Sequence, residues 1–234
     1  MEINTVVLIT YHFPHLKTEQ VMERLLRTTD YTYRMYALPF KRRKERAVSV
    51  HHRPNQAEAV APEVIADEHK IPYVVCETDG DVDSLCDIYL ILGAGILSPE
   101  CVSGKRIVNC HPGIIPASRG LDSFKWAIYE KKLLGVTLHY IDANVDAGEI
   151  ITVASTNVYI TDSLATLARR HYENEIDCLS RFSELLQTPV NPFAEIEEGE
   201  AKNRMPVETE VQMARLFSEY TEQYGQGRVS PFDG

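Results

Sequence analysis

Apolar positions along this chain come as short continuous runs separated by stretches of helical period. Residues 5–10 (TVVLIT) form an unbroken apolar run, the pattern of a strand covered on both faces. Residues 18–27 place Val21, Met22, Leu25 and Leu26 on one helical face. Residues 31–38 read as a second strand, 40–54 as a basic mobile segment, and 56–69 as a helix in spite of Pro62. Strands are expected at 73–76 and 88–92, around an acidic turn at 78–83, and a third at 107–109. A helix near 122–131, strands at 135–141 and 149–159, and helical periodicity over 162–186 complete the first part.

This alternation predicts an α/β fold with a Rossmann-like, doubly wound and mostly parallel sheet. The two strands around residue 146 are close enough in sequence to pair antiparallel. After Thr188 the character changes, with Pro189, Pro192, Gly199 and Pro206 punctuating the chain before an amphipathic helix over 208–224. The expected organisation is a domain over 1–187 and, over 188–234, a C-terminal appendage with one helix packed on the core or on a partner. A homodimer is one expectation for the apolar face of that helix.

Composition narrows the classes. The chain has 234 residues, 44% hydrophobic, enough for one α/β domain with an appendage. A net charge of −10 argues against non-specific nucleic-acid binding, which depends on Lys and Arg against phosphate. Five cysteines without a CxxC pair read as reduced thiols of a cytosolic protein. No signal peptide or membrane span is recognisable, so a soluble cytoplasmic protein is expected.

Candidate chemistry concentrates at the strand end Asn109-Cys110-His111-Pro112. Period-2 geometry puts Asn109 and His111 on one side of an extended chain, and Pro112 and Pro116 stop and stiffen it. A second segment, residues 135–148, reads as a strand followed by a tight acidic loop ending at Asp146-Ala147-Gly148. An amide donor, an imidazole and a carboxylate meeting from separate segments are the parts needed for acyl transfer.

Asn109-x-His111-Pro112, then Pro116 and Gly120, then Gly135-Val136-Thr137-x-His139, then Asp146-x-Gly148 resemble the folate-dependent formyltransferase family. The resemblance runs over 88–151 and more weakly to 187. It implies that Asn109, His111 and Asp146 carry transfer of a formyl group from N10-formyltetrahydrofolate to an amine, with no metal required. It further implies a folate pocket lined by Gly95, Ile96 and Leu97 after one strand and by Ala143 and Asn144 before Asp146. His139, inside a strand, either acts directly or orients Asp146 and braces its loop; the supporting role is the one assigned.

The acceptor is read from departures within that family. Purine-pathway transformylases carry a small-residue loop after the first strand that cradles a phosphate, where this chain has Tyr11-His12-Phe13-Pro14-His15 without glycine. The tRNA enzymes carry a C-terminal β-barrel domain, which the short acidic C-terminal stretch does not resemble. Sugar N-formyltransferases, whose acceptors are amino sugars on a nucleoside diphosphate, are the nearest resemblance. The basic stretch Lys41, Arg42, Arg43, Lys44 is expected to close over the diphosphate, with Arg119 and Asp122 touching the acceptor. The alternatives are a phosphoribosylglycinamide formyltransferase, or a protein that hydrolyses formyltetrahydrofolate or only binds folate or nucleotide.

Overall fold

A computed structural model of the chain describes residues 3–41, 46–83, 86–141, 148–189 and 196–226. The first apolar run is β1 (Thr5–Tyr11), followed by α1 (Leu16–Thr28) and β2 (Thr32–Leu38). Then come α2 (Pro62–Glu68), β3 (Tyr73–Val75), a single 3-10 turn at Asp79–Asp81, β4 (Ile88–Ile91), α3 (Pro99–Val102) and β5 (Ile107–His111). β6 (Arg119–Gly120), α4 (Ser123–Tyr129), β7 (Gly135–Tyr140), β8 (Ile150–Ser155), α5 (Leu164–Ser180) and α6 (Phe182–Gln187) follow. The C-terminal stretch holds β9 (Ala201–Lys202), α7 (Val207–Arg215) and α8 (Phe217–Tyr224).

Seven strands form one sheet in the order β3-β2-β1-β4-β5-β7-β8. Pairings from β3 through β5 are parallel, β5–β7 is antiparallel, and so is β7–β8, as expected for the two strands flanking residue 146. The fold is therefore the doubly wound α/β architecture that the alternation predicts. Successive side chains of β1 explain the double winding. Val6 and Leu8 enter one core with Val21, Met22 and Leu25 of α1 and Tyr172 and Ile176 of α5. Val7 and Ile9 enter the opposite core with Tyr89, Ile91, Cys101 and Val102. The winding reverses between β1 and β4, which opens a crevice beyond their C-terminal ends, the usual ligand position in such sheets.

A third apolar cluster joins Phe124 and Ile128 of α4 to Met205, Met213, Phe217 and Tyr220, so the C-terminal stretch packs on the sheet domain beside α4. Three helices differ from their expected spans. The helix expected over 56–69 starts at Pro62, because proline has no N–H to donate and fits the first helical turn. The one over 162–186 breaks at Arg181, and the one over 208–224 breaks at Leu216 into two helices. Among the described residues no helix is long and apolar enough to cross a membrane, and Cys76, Cys86, Cys101, Cys110 and Cys178 are free thiols.

Candidate active site

β5 runs two residues beyond its expected end, because Cys110 and His111 stay paired with Leu138 and Thr137 of β7. Pro112 then ends the ladder. The turn that follows is held by Thr137, whose hydroxyl donates to the Gly113 carbonyl (2.7 Å) and accepts from the Ile115 amide (3.0 Å). His111 is buried, with Nε2 2.8 Å from the Ser118 carbonyl and 3.1 Å from Ser123 Oγ. A carbonyl only accepts, so Nε2 carries a proton, and exchange chemistry falls to Nδ1. Gly113 makes this approach possible, since a Cβ there would run into the Ser118 carbonyl and His111 Nε2.

Asn109 stands directly opposite His139 in the β5–β7 register, and its Nδ2 lies 3.3 Å from His139 Nε2. His139 is fully buried, and its Nδ1 is 3.1 Å from the Tyr140 carbonyl. That contact fixes the tautomer, with Nδ1 donating and Nε2 left to accept one of the two N–H bonds of Asn109. His139 thus orients the Asn109 amide; its expected action on Asp146 lies outside the described residues. Asp146, Ala143 and Asn144 lie outside the described residues, as do Arg42, Arg43 and Lys44.

Beyond the ends of β1, β2 and β4 lies a cleft of about 980 Å³. Gly95, Ile96 and Leu97, expected in the folate pocket, line it, as does Lys41 from the basic stretch. Gly95 has nothing within 4 Å of where a Cβ would stand, and Ile96 is 85% exposed. This open, apolar-walled shelf suits a flat ring, and the volume suits a ligand of folate size. Asn109 and His111 lie at the end of the neighbouring strand and are not among the residues lining the cleft. Tyr11 and Phe40 form another part of the lining. Phe13, behind it, stacks on Phe40 at 4.5 Å between ring centres, and Tyr11 meets Phe40 edge-on.

The start of α1 is sealed by the chain itself. The Gln56 carbonyl accepts the Leu16 amide at 2.8 Å, and its side-chain Oε1 accepts the Lys17 amide at 3.1 Å. Lys17 Nζ pairs with Glu175 Oε1 at 3.1 Å, and Arg53 pairs with the other oxygen of Glu175. Burial and the adjacent Arg53 pull the Lys17 ammonium down to about 7. Burial likewise lowers His15 to about 3, His52 to about 2 and His171 to about 3, so all three are neutral at pH 7.

Arg119 and Asp122, expected at the acceptor, are held in other contacts. Arg119 pairs with Glu198, and the Asp122 carboxylate takes Arg46 (3.0 Å) and the Met205 amide (3.0 Å). Neither lines the cleft. Sequence reasoning misses Glu210. This fully buried carboxylate of α7 takes Lys125 Nζ at 2.6 Å, Arg46 at 3.3 Å and the Ser49 and Val50 amides at 2.6 and 3.2 Å. Burial alone would raise its carboxyl, but Lys125 and the two amides outweigh that and hold it below its ordinary value. A charge at a position facing the core of an amphipathic helix was the signal available in the sequence.

The sequence model of the family described as "Formyl transferase" matches residues 45–182. A phosphoribosylglycinamide formyltransferase of Bacillus subtilis (strain 168) is 34% identical over 73 residues, which are 31% of this chain and 37% of that protein. The aligned parts span about a third of the length of such curated relatives. Among solved structures, a 4-N formyltransferase from Francisella tularensis superposes with a TM-score of 0.61 at 14% identity, covering 90% of this chain and 86% of that one. The formyltransferase PseJ from Anoxybacillus kamchatkensis, solved with UDP-4,6-dideoxy-4-formamido-L-AltNAc and tetrahydrofolate, gives 0.50 at 17% identity, covering 92% and 100%. At these identities the structural likenesses speak for the fold.

Proposed function

The chain belongs to the formyl transferase family, and from that premise we propose that it transfers a formyl group from N10-formyltetrahydrofolate to a primary amine on a nucleotide-linked amino sugar. The observation that carries the reading is the strand end where His139 aims the Asn109 amide and the Ser118 carbonyl fixes the His111 tautomer.

Bound formyltetrahydrofolate supplies the formyl carbon and a departing ring-linked nitrogen. The second N–H of Asn109 faces the charge that gathers on the formyl oxygen as the amine attacks, a contribution of about 3–4 kcal/mol for one such donor. His111 works through Nδ1, taking the proton the amine sheds and passing it toward the departing nitrogen. Asp146, in this reading, favours the charged form of His111. The shelf of Gly95, Ile96 and Leu97 takes the flat ring of the folate.

The acceptor assignment rests on the start of α1. A phosphate held on first-turn amides needs them unoccupied, and here Gln56 takes those of Leu16 and Lys17. The anionic part of the acceptor is therefore assigned to the cleft lined by Lys41, Tyr11 and Phe40. Formyl donor incubated with a panel of amino-sugar nucleotides and with phosphoribosylglycinamide, followed by tetrahydrofolate release, tests both halves. Release is expected only with an amino-sugar nucleotide, and His111→Ala should lower it by about 10²–10⁴. Release with phosphoribosylglycinamide overturns the acceptor, and release without any acceptor makes the protein a hydrolase.

A further inference from the structure

The C-terminal stretch contributes one residue to the cleft wall, Arg204. Its backbone is fixed on both sides. The Asn203 carbonyl accepts Trp126 Nε1 at 2.8 Å, the Met205 amide donates to Asp122 at 3.0 Å, and the Met205 carbonyl accepts Arg46 at 2.6 Å. Met205 itself is fully buried in the cluster beside α4. The Arg204 side chain, by contrast, is exposed, and among the described residues no hydrogen bond or ion pair reaches it or Lys41. Among the described residues most other cations are spent on carboxylates, as at Lys17, Arg46, Arg53, Lys125 and Arg170.

Two uncommitted cations lining one cleft with Tyr11 and Phe40 fit an anion joined to a planar base. The carboxylates lining the same cleft are Glu77 and Asp79, and Asp79 is bonded to the Ser98 amide at the end of the folate shelf. We propose that Arg204, with Lys41, seats the two phosphate groups of a nucleoside diphosphate whose base lies against Phe40, which Phe13 backs by stacking. The inference rests on the sugar-nucleotide reading above and extends it. The C-terminal stretch becomes part of the acceptor site, and its pinned backbone holds the guanidinium in position before the acceptor arrives, which lowers the cost of ordering it.

The test is calorimetric titration of the full chain with UDP, with dTDP and, as a control, with tetrahydrofolate, for the native protein and for Arg204→Gln, Arg204→Lys and Lys41→Gln. Native protein should bind a nucleoside diphosphate more weakly as salt rises. Arg204→Gln should weaken that binding about 10- to 100-fold, the range of a charge-assisted contact, and Arg204→Lys should recover part of it. Tetrahydrofolate affinity should stay within about twofold across the set, since the folate shelf is untouched. If Arg204→Gln binds the diphosphate like native protein, the seat is refuted and the acceptor reading survives. If native protein binds tetrahydrofolate and neither diphosphate, the seat and the acceptor reading fall together.

Discussion

Removing the Glu210 carboxylate is the most severe single perturbation of the C-terminal stretch. Its side chain is 0% exposed and its partner Lys125 only 1% exposed. Glu210→Ala strands a buried ammonium and leaves the Ser49 and Val50 amides without their acceptor. Breaking a buried pair from one side costs about 3–5 kcal/mol. For a chain of this length each kcal/mol moves the melting temperature by about 2–4 °C, so a fall of about 6–20 °C is expected. Thermal melts by circular dichroism measure it. Replacing both partners, Lys125→Met with Glu210→Leu, should restore the part of the loss due to the stranded ammonium, while the Ser49 and Val50 amides stay without their acceptor. The acid limb follows from the sign of the shift. A carboxyl held below its ordinary value stabilises the fold above that value and loses the contribution as pH falls through the lowered one. Arg46 links Glu210 to Asp122 and to the Met205 carbonyl, so the same variant should raise the acceptor KM and leave folate affinity intact. A melting temperature within about 2 °C of native would refute the assignment.

Two further outcomes follow from the histidines. His139→Leu removes the acceptor that turns the Asn109 amide, so kcat should fall about tenfold with folate affinity kept, while His139→Gln, which keeps a side-chain acceptor, should lose less; native kcat in the leucine variant would refute this. His15, His52 and His171 take up protons at pH near 6.5 when unfolded but only near 2–3 when folded, so stability falls as pH drops below 6.5. At pH 5.5 each histidine accounts for about 1.4 kcal/mol, up to about 4 kcal/mol together. Melting temperatures from pH 7.5 to 5.5 should fall accordingly, with a shallower slope in His171→Gln, and a flat profile would sink the argument.

The strands were legible because apolar runs bounded by Gly, Pro and charge leave little choice of element, and β1, β2, β4 and β7 lie within a residue or two of their expected spans. Helix interruptions were not, because the apolar spacing continues through Arg181 and Leu216 and only tertiary packing decides where the axis turns. Asn109 and His111 could be placed on one strand face from period 2 alone. Their partners could not. His139 meets Asn109 through a register spanning 30 residues, and Gln56 meets Lys17 across 39. Glu175 meets Lys17 across 158 and Glu210 meets Arg46 across 164. Charge pairs at such separations leave no periodic trace. Asp122 shows the consequence. An acidic residue close behind Arg119 and Gly120, shortly after the His111 strand end, suggests a ligand contact in the sequence. In the fold its carboxylate takes Arg46 and the Met205 amide, partners that the sequence did not suggest.

The two sides of the site draw on different parts of the chain. Gly95, Ile96, Leu97, Asn109, His111 and His139 all fall within the stretch 45–182 that matches the formyl transferase family. They are presented by the ends of β4, β5 and β7, whose positions are set by the sheet. Tyr11, Phe13, Phe40, Lys41 and Arg204 fall outside that stretch, on connections after β1 and β2 and on the C-terminal stretch. These connections are held by ion pairs and caps: Gln56 on α1, Arg53 on Glu175, and Arg46 between Asp122 and Glu210. A sheet edge tolerates little change, because a register slip moves every side chain to the other face. A loop fastened by a few charges can be re-pointed by exchanging one of them. On the proposed reading, formyl donation belongs to the part of the molecule that the fold fixes, and choice of acceptor to the part that its charge pairs fix. By that argument an exchange at Arg204 or Glu210 should alter which amine is formylated before it alters how the formyl group is handed over.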